Sequence, residues 1–301
     1  MSITPLAREL GAAVRCVVDA RCALAESPLW APAEQALYWV DIPVGKLHRW
    51  CPSTQATTSW LLPCALSAIG LRKRGGLVVA LQSGIHFFDP DSGALDLVHA
   101  PEPALPTNRL NDGKVSPDGR FWVGSMSELP ERPSVGGLYR LDADHRCTQL
   151  LDGLRVSNGL AWSPDGRTLY HSDTRALTVW CHDHDPATGA LSNQRVFVTM
   201  PPEWGRPDGG AVDSEGCYWN AGIGAGRVNR FSPDGELIGH IPLPITHPTM
   251  PCFGGPDLGT LFITSTRQGV PPATLDDTPQ AGGIFALQPG VCGLPPGVYT
   301  G

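Results

Sequence analysis

The sequence predicts an all-β fold: a six-bladed β-propeller with four-stranded antiparallel blades around a central channel. Three observations carry that prediction. The 301 residues include 35 Gly and 30 Pro, nearly twice ordinary usage, which is too many helix breakers for a mostly helical protein and too few for disorder. A turn followed by a short strand recurs six times along the chain. The repeat measures about 45 residues, the size of a propeller blade.

The clearest copies are Ser116-Pro117-Asp118-Gly119 before Phe121-Trp122-Val123, Ser163-Pro164-Asp165-Gly166 before Leu169-Tyr170-His171, and Asp213-Ser214-Glu215-Gly216 before Tyr218-Trp219-Asn220. Weaker copies precede Tyr38, Leu77 and Leu261, at Ala31-Pro32-Ala33-Glu34, Arg72-Lys73-Arg74-Gly75 and Gly255-Pro256-Asp257-Leu258. Pro presets φ at the second turn position, and Asp-Gly supplies the tight reversal between two strands. Residues 46–50, 84–88, 137–141, 178–180 and 283–287 read as third strands, and loops such as 185–189 turn the chain back. Most of the nine Trp fall on strands, where blade packing is their expected role. Residues 14–301 therefore form one propeller domain, with 1–13 as a partly disordered extension. Within that extension, 5–13 is the best helical stretch. Residues 14–18 are expected to supply a closing strand for the last blade.

Composition excludes several classes. With 22 basic and 29 acidic residues, a net charge of −7 and no basic run, the chain lacks the positive footprint of a nucleic-acid binder. No apolar run approaches the roughly 18 residues of a membrane span, and MSITPLAREL has no signal-peptide core. Nine Cys, an odd number with no C-x-x-C pair, read as free, mostly buried thiols in a reducing cytosol. That points to the cytoplasm, without a structural zinc site; the oligomeric state, monomer or small homo-oligomer, stays open.

The repeat phase locates the channel. Five residues before each turn lie Glu26, Ser67, Asn111, Asn158, Asp208 and Met250. Rotation relates the blades, so these positions share one height around one axis. Carboxylates converging there repel unless a cation or a proton is shared. Glu26, Asn158 and Asp208 offer only oxygen ligands, which suits a divalent cation. Asn111, Asn158 and Asp208 equally fit ordinary turn hydrogen bonding near Gly. Glu26 does not, because Glu makes no habitual turn of this kind.

At these residues the sequence resembles the senescence-marker-protein-30/gluconolactonase, or regucalcin, family. The matching segments are Glu26-Ser27-Pro28-Leu29-Trp30, Asn108-Arg109-Leu110-Asn111-Asp112-Gly113-Lys114, Phe121-Trp122-Val123-Gly124-Ser125-Met126, Ser157-Asn158-Gly159-Leu160-Ala161-Trp162, Pro207-Asp208-Gly209 and Cys252-Phe253-Gly254-Gly255-Pro256-Asp257. They run from the first unit to the last, and the look is nearest to bacterial sugar lactonases such as xylonolactonase. The resemblance implies one divalent metal (Ca²⁺, Zn²⁺, Mn²⁺, Mg²⁺ or Fe²⁺) held by Glu26, Asn158 and Asp208. It makes Asp208 the general base, and Arg109 and Asn111 substrate contacts. Glu128 stands near a further family acid, about one residue out of register, as a candidate substrate contact. The family usually has Gly where Ala25 stands, so a slight shift of the backbone turn is expected there.

The implied reaction is metal-dependent hydrolysis of a pentono- or hexonolactone to its aldonic acid, with the ring carbonyl polarised and a water activated by Asp208. The alternatives are a calcium-dependent arylesterase or phosphotriesterase-like propeller, and a non-catalytic calcium-binding propeller. A serine hydrolase is disfavoured because no G-x-S-x-G occurs. Four further features have specific expectations. His182-Asp183-His184-Asp185 is read as a solvated hairpin turn. His171 is read as a core histidine, and Cys252 as a small buried hydrophobe. Trp204 is placed in a loop where it could stack on a sugar ring.

Overall fold

Six separate antiparallel sheets form the blades of a propeller. The structure is a computed structural model that describes residues 8–9 and 13–301. The innermost strands, in blade order, are Ala25–Ala31, Leu66–Arg72, Asn108–Val115, Ser157–Trp162, Arg206–Val212 and Pro248–Gly254. Each pairs antiparallel with a second strand through one of the six turns. Gly119 (φ +85°) closes one such turn by donating its N–H to the Ser116 carbonyl at 2.9 Å, in the left-handed conformation that favours Gly.

Burial falls from the axis outward. The second strand Ala36–Asp41 is buried at every position, because neighbouring blades cover both of its faces. Trp39, Trp122 and Trp219 fill the space between blades. The outermost strand Ala56–Leu61 is largely exposed, and Leu61 keeps 76% of its surface in water. The thiols follow the same gradient. All nine are free, but only Cys22, Cys181 and Cys217 are fully buried, fewer than expected, and Cys292 is exposed. Cys51 and Cys147, for example, stand at the ends of outer strands, where no second layer covers them.

Two strands from outside the repeat complete the ring. Arg15–Val18 pairs antiparallel with Ile284–Leu287 and becomes the fourth strand of blade six, as its position suggests. Val298–Tyr299 pairs parallel with Leu71–Arg72 of blade two, which sequence reasoning did not foresee. The helix expected over 5–13 lies mostly outside the described residues. Its described part, Arg8–Glu9, is instead extended and pairs with Gly239 and His240. No helix among the described residues is long and apolar enough to cross a membrane.

Adjacent blades are also tied by side chains on the inner strands. Ser27 Oγ accepts the Ile69 N–H at 3.0 Å, and Asp112 Oδ2 accepts the Leu160 N–H at 2.9 Å. Thr249 Oγ1 donates to the Ala25 carbonyl at 2.6 Å, joining blade six to blade one. These bonds satisfy buried polar groups that would otherwise cost about 1–3 kcal/mol each.

Candidate functional site

One backbone irregularity explains why the phase argument works. In every blade the pairing of the first two strands slips near the start of the inner strand. The slips fall at Glu26/Leu29, Leu66/Ala68, Leu110/Gly113, Asn158/Ala161, Pro207/Gly210 and Pro248/Pro251. A bulge leaves residues unpaired and re-aims their side chains. Here it gathers side chains from several blades at one end of the channel. Gly159 (φ +71°) occupies the bulge of blade four, where a Cβ would lie 2.6 Å from Ser172 Oγ and from Tyr218 Oη. In blade one the positive φ falls on Ser27 (+48°) rather than on Ala25, which is extended and paired with Asp41. Ala25 is fully buried in a cluster with Trp39 and Trp50.

Glu26, Arg109, Asn111, Asn158 and Asp208 line a pocket of about 230 Å³ at this end of the channel. Blades two and six contribute differently. Ser67 Oγ donates to Ala80 of its own blade, and Met250 packs where a Cβ on Gly209 would stand. A hydrogen-bond chain then crosses blades three to five. Arg109 Nη1 donates to Asn111 Oδ1 at 2.6 Å, and Asn111 Nδ2 donates to Asn158 Oδ1 at 3.1 Å. Asn158 Nδ2 donates to Thr174 Oγ1 at 2.8 Å, and Thr174 donates to the Pro207 carbonyl at 2.7 Å, next to Asp208. This chain fixes the amide flip of Asn158 and leaves a lone pair of its oxygen for the pocket. Both ends of the Asn111 amide are engaged, Oδ1 by Arg109 and Nδ2 by Asn158 and the Ser157 carbonyl.

Two carboxylates that sequence reasoning passed over hold the same region. Asp41 accepts the Ala23 and Leu24 N–H groups at 3.1 and 2.9 Å, just ahead of Glu26. Asp173 accepts those of Arg155 and Val156 at 2.7 and 3.2 Å, just ahead of Asn158. The only sequence signal for them is the shared Asp at the end of the second strand.

The electrostatics are those of a buried acidic pair. Burial first, then the Asp208 and Asp112 carboxylates, hold Glu26 well above the usual carboxylate range. Burial and Asp112 push Asp208 up to about 8. Arg206 and Arg109 offset part of the Asp208 charge, and Arg109 also meets Glu128 at 3.2 Å and Asn111. Buried carboxylates with oxygen neighbours and no ion pair of their own among the described residues fit a hard divalent ion, which would relieve their repulsion. Glu128 stands about half exposed, meets Arg109 and is not among the residues lining the pocket. A second acidic group, Asp213 with Glu215, is already bridged by Arg230 at 2.7 and 2.6 Å.

The chain can now be set beside known proteins. The model of the SMP-30/Gluconolactonase/LRE-like region matches residues 24–267. The chain belongs to this family. It is 41% identical over 290 residues to the 6-deoxy-6-sulfogluconolactonase of Pseudomonas putida, covering 96% of this chain and 99% of that one. It is 36% identical to rabbit (Oryctolagus cuniculus) regucalcin over 295 residues, covering 96% and 98%. The crystal structure of a calcium-binding protein, regucalcin, from Agrobacterium tumefaciens superposes with a TM-score of 0.93 at 31% identity, over 98% of this chain and 99% of that one.

Three of the other expectations resolve as follows. His182 and His184 are buried on the strand Thr178–His184, not in a solvated turn. Strand alternation turns Asp183 outward to Arg195 at 2.8 Å while His184 packs on Trp122 and Trp162. Trp204 packs its ring on Phe231, 5.8 Å between centroids, and is not among the residues lining the pocket. His171 is a core residue, hydrogen-bonded to Ser157 Oγ at 2.9 Å and pushed down to about 3 by burial and by His182.

Proposed function

We propose that this member of the SMP-30/gluconolactonase family hydrolyses sugar lactones with the help of one divalent cation. The observation that carries the reading is the buried Glu26–Asp208 pair, aimed with Asn158 into one polar pocket. The relative named for 6-deoxy-6-sulfogluconolactone supports lactone hydrolysis as the reaction class. Glu26, Asn158 and Asp208 would hold the cation. When bound, it supplies Lewis acidity for the ring carbonyl and lowers the pKa of water.

The chain's own residues supply the rest. Asp208 is buried in the pocket beside Glu26 and Asn158, and as a carboxylate it would take the proton from the attacking water as general base. Arg109 is buried at the pocket wall and presents a positive group to the developing oxyanion or to sugar hydroxyls. Asn111 and Thr174 keep the Asn158 oxygen in place. The depth of the bulges sets Asp208 away from bulk water.

The relative whose structure is that of a calcium-binding protein favours a second reading, cation binding without turnover. Metal-stripped protein, resupplied with Ca²⁺, Zn²⁺, Mn²⁺, Mg²⁺ and Fe²⁺ one at a time, is assayed by acid release from a panel of aldonolactones. The proposal expects activity to vanish on chelation and return with at least one ion. Full-speed hydrolysis by the stripped protein would refute the metal's role. Binding without turnover on lactones, aryl esters or phosphotriesters would leave the second reading.

A further inference from the structure

We propose that Lys114 is a positioning residue for Asp208: its side chain crosses the channel from blade three and pins the bulge of blade five, so that Asp208 stands at a fixed place relative to Asn158. The inference rests on the cation site proposed for Glu26, Asn158 and Asp208, but the pinning contact stands on separate observations.

The first is where the backbone groups of the bulges find partners. A bulge takes backbone groups out of the sheet ladder, and buried ones must be paired elsewhere. Asn220 Nδ2 donates to the Asp208 carbonyl at 2.9 Å, and Tyr218 Oη to the Gly159 carbonyl at 2.9 Å. Asp112 Oδ2 takes the Leu160 N–H at 2.9 Å. Lys114 Nζ donates to the Gly210 carbonyl at 2.6 Å, two residues past Asp208. Asn220 belongs to blade five itself, so its bond moves with that blade. Tyr218 and Asp112 join neighbouring blades. Of these four, Lys114 alone skips a blade and joins three to five across the axis. Asp112 and Lys114 share one strand, Asn108–Val115, so blade three is the common reference for the Asn158 bulge and the Asp208 bulge. The proposed ligands come from blades one, four and five, and a hard cation accepts oxygen only over a narrow range of about 2.0–2.6 Å. A tie across the axis constrains that spacing directly, while bonds between neighbours constrain it only in steps around the ring.

The second is where this charge lies. Four arginines, Arg109, Arg132, Arg175 and Arg206, line the pocket itself. Lys114 does not. It lines the cavity of about 120 Å³ at the other end of the channel, and it is the only charged residue there. Gly210 is its one hydrogen-bond acceptor among the described residues, and it makes no ion pair among them. Burial pushes its ammonium group down, while Asp112 first, then Cys252 and Glu26, pull it up. Burial in turn holds the Asp112 carboxyl up, and Lys114 is the foremost group offsetting that. Asp112 Oδ1 has no hydrogen bond of its own. An ammonium beside apolar surface costs more than a methyl group of the same reach would. What only the ammonium supplies is a strong donor at the end of a four-carbon stem, with a positive charge beneath the carboxylates.

The test uses the full chain, stripped of metal and titrated with Ca²⁺ and with Mn²⁺ by calorimetry, alongside aldonolactone kinetics with the metal restored. Lys114→Met keeps the reach and removes the donor, and Lys114→Arg keeps a charged donor. Loss of a hydrogen bond from a charged group sets the expected scale at about tenfold or more. Lys114→Met should bind the cation about tenfold more weakly or worse, even though a nearby positive charge is gone. Its kcat should fall by a similar factor while KM moves less than about threefold, because Arg109 is untouched. Lys114→Arg should recover most of both losses. In the stripped protein, amide exchange in Lys114→Met should quicken over Arg206–Val212 and hold steady over Ala36–Asp41, a readout that needs neither metal nor substrate. Three results overturn the inference: unchanged or tighter cation binding in Lys114→Met, equal losses in the two variants, or exchange that quickens evenly across the blades, as loss of a merely structural lysine would give. If the unsubstituted protein binds no cation and turns over no lactone, the reading of the site falls, and exchange over Arg206–Val212 still decides whether Lys114 pins that bulge.

Discussion

The two ends of the central channel are made by the same inner strands and could hardly differ more. At one end Glu26, Asn158, Asp208 and the arginines surround a polar pocket of about 230 Å³. At the other, a cavity of about 120 Å³ is walled by Trp30, Trp162, Phe253 and Cys252 and crossed by Leu294, Pro295 and Pro296. Trp30 lies four residues along the strand from Glu26, and Trp162 four along from Asn158. The bulge between them separates the two environments. Before it the strand presents groups that must be desolvated and paired, and after it the strand presents surface that only needs covering. Chemistry and stability are thus placed at opposite ends of each strand, and substitutions should sort by end.

The largest effect belongs to the polar end. Asp208→Asn keeps the shape and removes the proposed proton acceptor, so kcat/KM for lactone hydrolysis should fall about 10²–10⁴-fold, the usual worth of a general base. The thermal midpoint of the stripped protein should hold or rise, because one member of a repelling pair is gone. Activity within threefold of the original would break the comparison.

At the apolar end Trp30→Ala should do the converse. Trp30 is fully buried and stacks on Phe262 at 5.8 Å. Its truncation should cost about 3–5 kcal/mol of stability by denaturant titration. The metal-supported activity of the fraction that remains folded should change little.

The smallest effect is a pH dependence of the metal-free protein. Asp208 binds its proton more tightly folded, at about 8, than a carboxyl does in the unfolded chain. Its contribution is therefore fully present below about pH 4 and is lost as pH rises through about 8. The midpoint of stripped protein should fall by a few degrees across that window, and Asp208→Asn should flatten the fall. A midpoint that rises instead over that window would contradict the placement of this carboxylate.

Much of this polar end was legible in the chain itself. The blade period is written in turns whose chemistry is local, and it carries Glu26, Asn158 and Asp208 along because they sit at a fixed offset from those turns. Arg132, Arg175 and Arg206 were not legible. They lie in loops or at a strand's first residue, with no common phase, and meet only because the blades rotate about an axis. His182 and His184 were misread for a related reason. A run of His and Asp looks like a turn by composition, while alternation along the strand buries every second member. The crossing of the channel by residues 294–296 left no trace in the period, since that stretch follows the last repeat.

The closure of blade six has a kinetic consequence. Its outermost strand, Arg15–Val18, must pair with Ile284–Leu287, some 270 residues later. As the chain leaves the ribosome, the strand that seals the ring and the glutamate just after it are made first and must wait for nearly everything else. Until the final repeat has emerged, Glu26 has neither its blade-six neighbour nor an enclosed axis to point into. The acidic pair is then assembled late, so a nascent chain is spared the repulsion of two buried carboxylates until the ring that confines them has closed.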